Sequence, residues 1–220
     1  MTMRIIAFGD IHMNLGGLAT VPGIDTADLL IITGDLTNFG GRCEAAKIIA
    51  AVRAVNPNLL ALAGNLDRPE VNDYLAAEGL SLHGHGVVRQ HVGIFGAGGS
   101  NRTPFATPNE FSEPELAAIL QQGFDRVVSA EHHILVSHAP PAGTSTDRLT
   151  DGTQVGSKSV RSFIEQHQPA LCLTGHIHEA MGEDNIGRTR IFNPGMIAAG
   201  GWVEVTVTAE SLNAQLNAMA

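Results

Sequence analysis

At 220 residues, with 44% apolar and 16% charged side chains, the chain can bury one sizeable core and is expected to form a single domain. Its net charge of −9, from 13 Lys+Arg against 22 Asp+Glu, argues against a duplex nucleic-acid footprint. It leaves room for a small anionic substrate, because a bound metal ion can dominate its local field. Two distant cysteines, Cys43 and Cys172, do not suggest a disulfide framework. The first ten residues are interrupted by Asp10 too early for a signal peptide, and no apolar run approaches the ~20 residues of a membrane span, so a cytoplasmic protein with no membrane partner is expected.

In chain order, short apolar runs bounded by turn residues read as buried strands. They are 4–8 (RIIAF, then Gly9-Asp10), 29–32 (LLII, then Thr33-Gly34-Asp35), 59–63 (LLALA, then Gly64-Asn65), 134–136 (ILV, then Ser137-His138) and 170–173 (ALCL, then Thr174-Gly175-His176). Between them, helical patterns fall at 44–55, 69–78, 113–122 and 157–167. The alternation predicts an α/β protein with a largely parallel sheet. Residues 83–97, 189–192 and 202–207 (WVEVTV) alternate as antiparallel strands do, predicting a second sheet or antiparallel edges. Residues 98–113 and 140–153, rich in Gly, Pro, Asn, Ser and Thr, read as functional or surface loops. The tail, 211–220, reads as a short helix or a fraying end, and no repeat is apparent.

The polar residues fall in a pattern. Each of the five strands ends in a small residue followed by Asp, Asn or His, and open α/β sheets bind ligands outside the carboxyl ends of their strands. Asp10, His12, Asp35, Asn65, His138, His176 and His178 can therefore converge, although they span most of the chain. Two carboxylates, one carboxamide and four imidazoles suit Mn, Fe, Zn, Co or Ni. Seven ligands are too many for one such ion and suit two if a carboxylate bridges. Glycine before Asp10, Asp35, Asn65 and His176 lets the backbone turn sharply and keeps bulk away. The charges balance: two divalent ions against two carboxylates leave +2 for a hydroxide and one anionic phosphoryl group. Alone, Asp10 or Asp35 would more often cap a turn; the joint pattern reverses that reading.

The blocks Gly9-Asp10-Ile11-His12, Gly34-Asp35, Gly64-Asn65-Leu66-Asp67, Ser137-His138-Ala139-Pro140-Pro141 and Gly175-His176-Ile177-His178, in that order, resemble the calcineurin-like metallophosphoesterase family. Asn193-Pro194-Gly195 resembles a further family turn. The resemblance implies a four-layer sandwich of two mixed β-sheets flanked by α-helices. It implies one metal on Asp10, His12 and His178, a second on Asn65, His138 and His176, Asp35 bridging, and a hydroxide between two divalent ions, manganese foremost with Zn, Fe, Ni or Co as alternatives, attacking phosphorus in line. It also implies a small phosphate-ester substrate and a monomer or homodimer. The chain departs from the pattern at Leu66, where many relatives carry a His that protonates the leaving group or steadies the transition state and some phosphodiesterase-like relatives lack it; Asp67, which usually accompanies that His, remains as a candidate catalytic residue.

Around this set, Asn14 is read mainly as a helix N-cap and secondarily as a phosphate contact. Asn101 and Arg102 in the Gly98–Arg102 loop are candidate phosphate contacts, with an ordinary surface loop as the equal alternative. His83, His85, His91, His132, His133 and His167 read as surface or packing residues, Cys43 as helical, Cys172 as a small apolar strand residue and Trp202 as a strand residue. The expected function is hydrolysis of phosphate esters, diesters ahead of monoesters; a non-catalytic metal-binding scaffold of the same fold is the alternative, and a nuclease is disfavoured by the charge.

Overall fold

The computed structural model describes residues 2–218. In chain order the main elements are β1 (Met3–Phe8), β2 (Leu29–Ile32), α1 (Arg42–Val55), β3 (Leu59–Ala61), α2 (Glu70–Ala77), β4 (Gly86–Arg89), β5 (Val92–Ala97), β6 (Ser100–Asn101), β7 (Glu110–Phe111), α3 (Glu113–Asp125), β8 (His132–Ser137), α4 (Lys158–His167), β9 (Leu171–Leu173), β10 (Gly182–Ile186), β11 (Thr189–Asn193), β12 (Gly201–Val207) and β13 (Leu212–Ala218). Two mixed sheets result, ordered β13-β12-β1-β2-β3 and β10-β11-β9-β8-β5-β4, with β6 and β7 pairing on their own.

The layering follows from which faces are apolar. Every residue of β2 is buried, so it packs on both faces, as interior parallel strands do. One face of the first sheet, through Ile6, Phe8, Leu30 and Ile32, meets Ile48, Ile49 and Val52 of α1 and Val71 and Leu75 of α2. Its other face, through Ile5, Ile31 and Leu60, packs on Ile94, Val136, Leu173 and Phe192 of the second sheet. The far face of that sheet, through Phe95, Leu135 and Cys172, is covered by Leu116 and Leu120 of α3 and Val160, Phe163 and Ile164 of α4. The fold is thus the expected four-layer α/β/β/α sandwich. Both later helices start on serine caps: Ser112 accepts from the Glu115 N–H, and Ser157 from the Val160 N–H.

Two details differ from the sequence reading. The tail is not a helix within the described residues but the edge strand β13, antiparallel to β12. Leu212, Ala214 and Leu216 alternate onto the inter-sheet core, a period of two that outweighs the helix propensity of Ala, Gln and Leu; residues 219–220 lie outside the described residues. The strand expected at 59–63 ends at Ala61, although the Leu62 N–H still bonds to Ile32 O. No helix among the described residues is long and apolar enough to cross a membrane.

β1, β2 and β3 run parallel, as do β5, β8, β9 and β11. This common direction delivers five strand ends to one edge of the sandwich.

Candidate metal centre

Four ligand-type residues meet on the side of β1 and β2. Each of Asp10, His12, Asp35 and His178 offers one atom, and those atoms all lie within 4.8 Å of one another. His178 Nε2 is 3.4 Å from Asp10 Oδ1 and 3.0 Å from His12 Nε2. On the other side of Asp35, His138 Nε2 is 3.1 Å from Asn65 Oδ1, and the His138 and His176 rings are 5.2 Å apart. Asp35 Oδ2 lies between the groups, 3.8 Å from His12 Nε2 and 3.5 Å from His138 Nε2. The seven residues expected from the sequence are brought to one place.

The backbone there is held in unusual conformations. Asp10, His12, Asp35 and His176 have positive φ, of 48°, 48°, 48° and 71°. Non-glycine residues reach this region at a cost and cluster where the surrounding structure over-determines them. The glycines beside them are required by space as well as by turn. A Cβ on Gly34, itself at φ 130°, would strike the His138 ring, and one on Gly64 would strike the Asp35 carboxylate. Asp35 and His138 are therefore cradled by backbone.

Outer contacts set which ring nitrogen faces inward. His138 Nδ1 donates to Thr33 O (3.1 Å), which leaves Nε2 facing Asn65 Oδ1 and Asp35 Oδ2. Asn38 Nδ2 donates to His12 O, so its Oδ1 accepts from His12 Nδ1 (2.9 Å), again leaving Nε2 inward. Asn65 is oriented by a relay: Thr107 Oγ1 donates to Glu110 Oε1 (2.6 Å) and so accepts from Asn65 Nδ2 (3.0 Å), turning the amide oxygen toward His138. Asn193 holds the last ligand loop through its Nδ2 bond to Ile177 O and accepts from the Gly195 N–H, making Asn193-Pro194-Gly195 a supporting turn. Sequence reasoning missed Thr33, Asn38, Thr107 and Glu110. No spacing marks them, because their partners are 26 to 105 positions away apart from the local Thr107–Glu110 pair.

The electrostatics describe a site that gathers positive charge. Burial opposes ionisation of Asp35, but His138, His12 and the Leu66 N–H together hold its carboxyl below the usual range. Burial also works against a charged His138, yet Asp35, with Asp10 and Asp67, lifts it to about 9. Burial and the neighbouring His138 push His176 down to about 4. A hydrogen bond to Asp10 raises His178. Carboxylates this deep call for a compensating cation, and an oxygen and imidazole donor set is what a divalent transition metal accepts.

The remaining candidates separate. Asp67, expected as a possible catalytic group, accepts from the N–H groups of Leu36, Thr37 and Gly64 and from Thr37 Oγ1. It clamps the Asp35 loop to the Asn65 loop, a positioning role; burial and the nearby Asp35 push it up to about 6. Asn14 caps no helix: its Oδ1 accepts from the Gly16 N–H, and the next helical turn, Leu18–Thr20, has Gly17 at its N-cap. The local Asx turn captured the side chain that a helix start would have used. Asn101 is tied to Val155 O through Nδ2, and exposed Arg102 follows it; both line a cavity beside Asn65 and His176. His132 begins β8, at the opposite end from His138, and His133 and His167 pack on Phe124. Cys43 lies in α1, Cys172 is buried in β9 and Trp202 is buried in β12.

The calcineurin-like phosphoesterase family matches residues 3–180, a span that contains all seven ligand-type residues. The chain belongs to that family. As a calcineurin-like phosphoesterase, it is 37% identical to the uncharacterized protein MJ1162 of Methanocaldococcus jannaschii over 196 residues, 87% of this chain and 88% of the relative. Two solved structures share the fold. TT1561 of Thermus thermophilus superposes with a TM-score of 0.72 at 14% identity, covering 98% of this chain and 99% of that one. A dimetal phosphatase from Danio rerio superposes with a TM-score of 0.65 at 12% identity, covering 98% and 96%.

Proposed function

We propose that the protein hydrolyses small phosphate esters, diesters ahead of monoesters, at a centre of two divalent metal ions, manganese foremost. The observation that carries this reading is Asp35: one carboxylate oxygen faces the imidazole of His12 in one ligand group and that of His138 in the other. Asp10, His12 and His178 would hold one ion and Asn65, His138 and His176 the second, with Asp35 between them. Divalent ions so placed supply a strongly acidified water and neutralise charge that develops on the phosphoryl oxygens.

The chain's own residues fix the rest. Thr33, Asn38 and Thr107 aim the donor atoms, so little reorganisation is left to the moment of reaction. Leu66 gives its N–H to Asp35 Oδ1 and offers only hydrocarbon at the position where the family pattern often has His, so no side chain there can protonate a leaving group. A singly charged diester with a good leaving group suits a site that lacks this acid. The same charge balance, two positive charges left after Asp10 and Asp35, favours a monoanionic substrate beside its nucleophile.

The test is hydrolysis of bis(p-nitrophenyl) phosphate and p-nitrophenyl phosphate by metal-stripped protein after addition of Mn²⁺, Zn²⁺, Ni²⁺, Co²⁺ or Mg²⁺, beside Asp35→Ala. The expected result is metal-dependent turnover, fastest on the diester, that falls at least about 100-fold in the variant. Faster monoester turnover overturns the diester assignment. Metal binding without turnover of either ester points instead to a non-catalytic metal-binding scaffold.

A further inference from the structure

The cavity beside Asn65 and His176 has a volume of about 510 Å³, well inside the range of about 300–1,000 Å³ typical of small-molecule sites and larger than a phosphoryl group alone requires. Much of its wall is apolar: Pro104 and Phe105 from the segment between β6 and β7, Leu149 and Val155 from the segment before α4, and Ile177 between the two ligand histidines. Phe105 is 82% exposed, the most exposed large hydrophobic side chain among the described residues. Its loop is tethered, since Thr103 Oγ1 accepts from the Phe105 N–H and donates to Glu110, the residue that also orients Thr107. A ring held at the mouth of a cavity, rather than folded into a core, presents a contact surface.

Two cations line the same cavity, Arg102 and Lys158. Neither lies in an ion pair among the described residues, whereas Arg4, Arg53, Arg161 and Arg190 do. Two carboxylates also line it, Glu179 and Glu113, and Glu113 is engaged by Ser157, Lys158 and Ser159 through their N–H and hydroxyl groups. An alkyl chain gains nothing from such cations. An aromatic ring does, because guanidinium and ammonium groups are attracted to its face.

We propose that this cavity receives the aromatic ester arm of the substrate, an aryl or nucleobase-like group attached to the phosphate and packed against Phe105 and Ile177, with Arg102 and Lys158 at its rim. The proposal rests on the phosphoesterase reading above and narrows its substrate class. Contact of one ring with an aromatic wall is worth about tenfold in affinity.

The experiment compares the affinities of Mn²⁺-loaded protein for 1-naphthyl, hexyl and methyl phosphate by titration calorimetry, with wild type beside Phe105→Ala. The expected order is naphthyl tightest, at least about tenfold over methyl, with hexyl between them because its methylenes still bury against the apolar wall. In Phe105→Ala, the naphthyl advantage falls to about twofold. Hexyl phosphate binding as tightly as naphthyl overturns the aromatic assignment, and equal affinities for all three, or no binding of any, overturn the arm site altogether. These affinities require no turnover, so turnover of bis(p-nitrophenyl) phosphate with equal affinities sinks the arm site and leaves the phosphoesterase reading standing.

Discussion

Among single residues, the seven ligand-type residues were legible because each follows a small turn residue at a strand end or lies two positions beyond one that does. Their supports were not. Thr107 is an ordinary loop threonine until the fold places its hydroxyl 3.0 Å from Asn65 Nδ2. Its role predicts a graded effect: Thr107→Val removes the acceptor that turns the Asn65 amide and lowers metal affinity about tenfold, while Thr107→Ser keeps it within about threefold. Metal titration of stripped protein checks this, and equal affinities for wild type and the valine variant would show that Asn65 needs no such support. Leu66 makes a second prediction. Restoring the family residue by Leu66→His raises turnover of esters with poor leaving groups by about 10² and changes aryl esters little. A dependence on leaving-group pKa that is the same in both proteins contradicts it.

Among elements, the same loop that carries Phe105 and Thr107 leads into α3, whose first residue supports the start of another helix. Glu113 accepts from Ser157 Oγ and from the N–H groups of Lys158 and Ser159, the unsatisfied donors that open α4. Although partial burial opposes its charge, these bonds hold its carboxyl below the usual range. The lowered value means that the folded state binds the proton less readily than the unfolded chain. The stabilisation is therefore full above the unfolded pKa and is lost as pH falls through the lower folded one. Glu113→Ala is expected to cost about 1 kcal/mol at neutral pH, and the difference from wild type should shrink once pH drops below about 4; urea melts at neutral and acid pH measure both. The starts of α3 and α4 were readable from the helical patterns at 113–122 and 157–167 because helical periodicity is carried by near neighbours in the chain. The strand at Leu212–Ala218 was not, since a stretch of Leu, Asn, Ala and Gln fits either period until β12 offers a partner and the core takes its alternate side chains.

For the whole molecule, ligand-type residues stand at strand ends of both sheets, so a metal ion held by them would be coupled to folding. An ion on these residues would tie strand ends of the first sheet to those of the second, and an ion that binds the folded chain and not the unfolded one stabilises it by mass action. Saturation at about 100 times the dissociation constant is then worth about 2.7 kcal/mol. Stripping the metal lowers the melting temperature, and restoring Mn²⁺ recovers it. The recovery should depend on pH. Because Asp35 and its neighbours lift His138 to about 9, the metal-free protein carries a proton there at neutral pH that an incoming ion must displace. Metal uptake therefore releases protons and strengthens as pH rises toward about 9; calorimetry in buffers of different ionisation enthalpy checks the sign, and uptake without proton release contradicts it.

The sequence by itself determined the five strands that lead to the site, the four helices among them and the set of seven ligand-type residues at the strand ends, because apolar period, turn chemistry and motif spacing are carried by neighbours along the chain. Tertiary structure alone decided the distances from Asp35 to His12 and His138, that Asp67 is a clamp and that Thr107 aims Asn65. It also decided that Phe105 stands at the mouth of a cavity shared with Arg102 and Lys158. Each of those facts is a distance between residues far apart in the chain, set by how two twisted sheets pack face to face, and no local pattern records it.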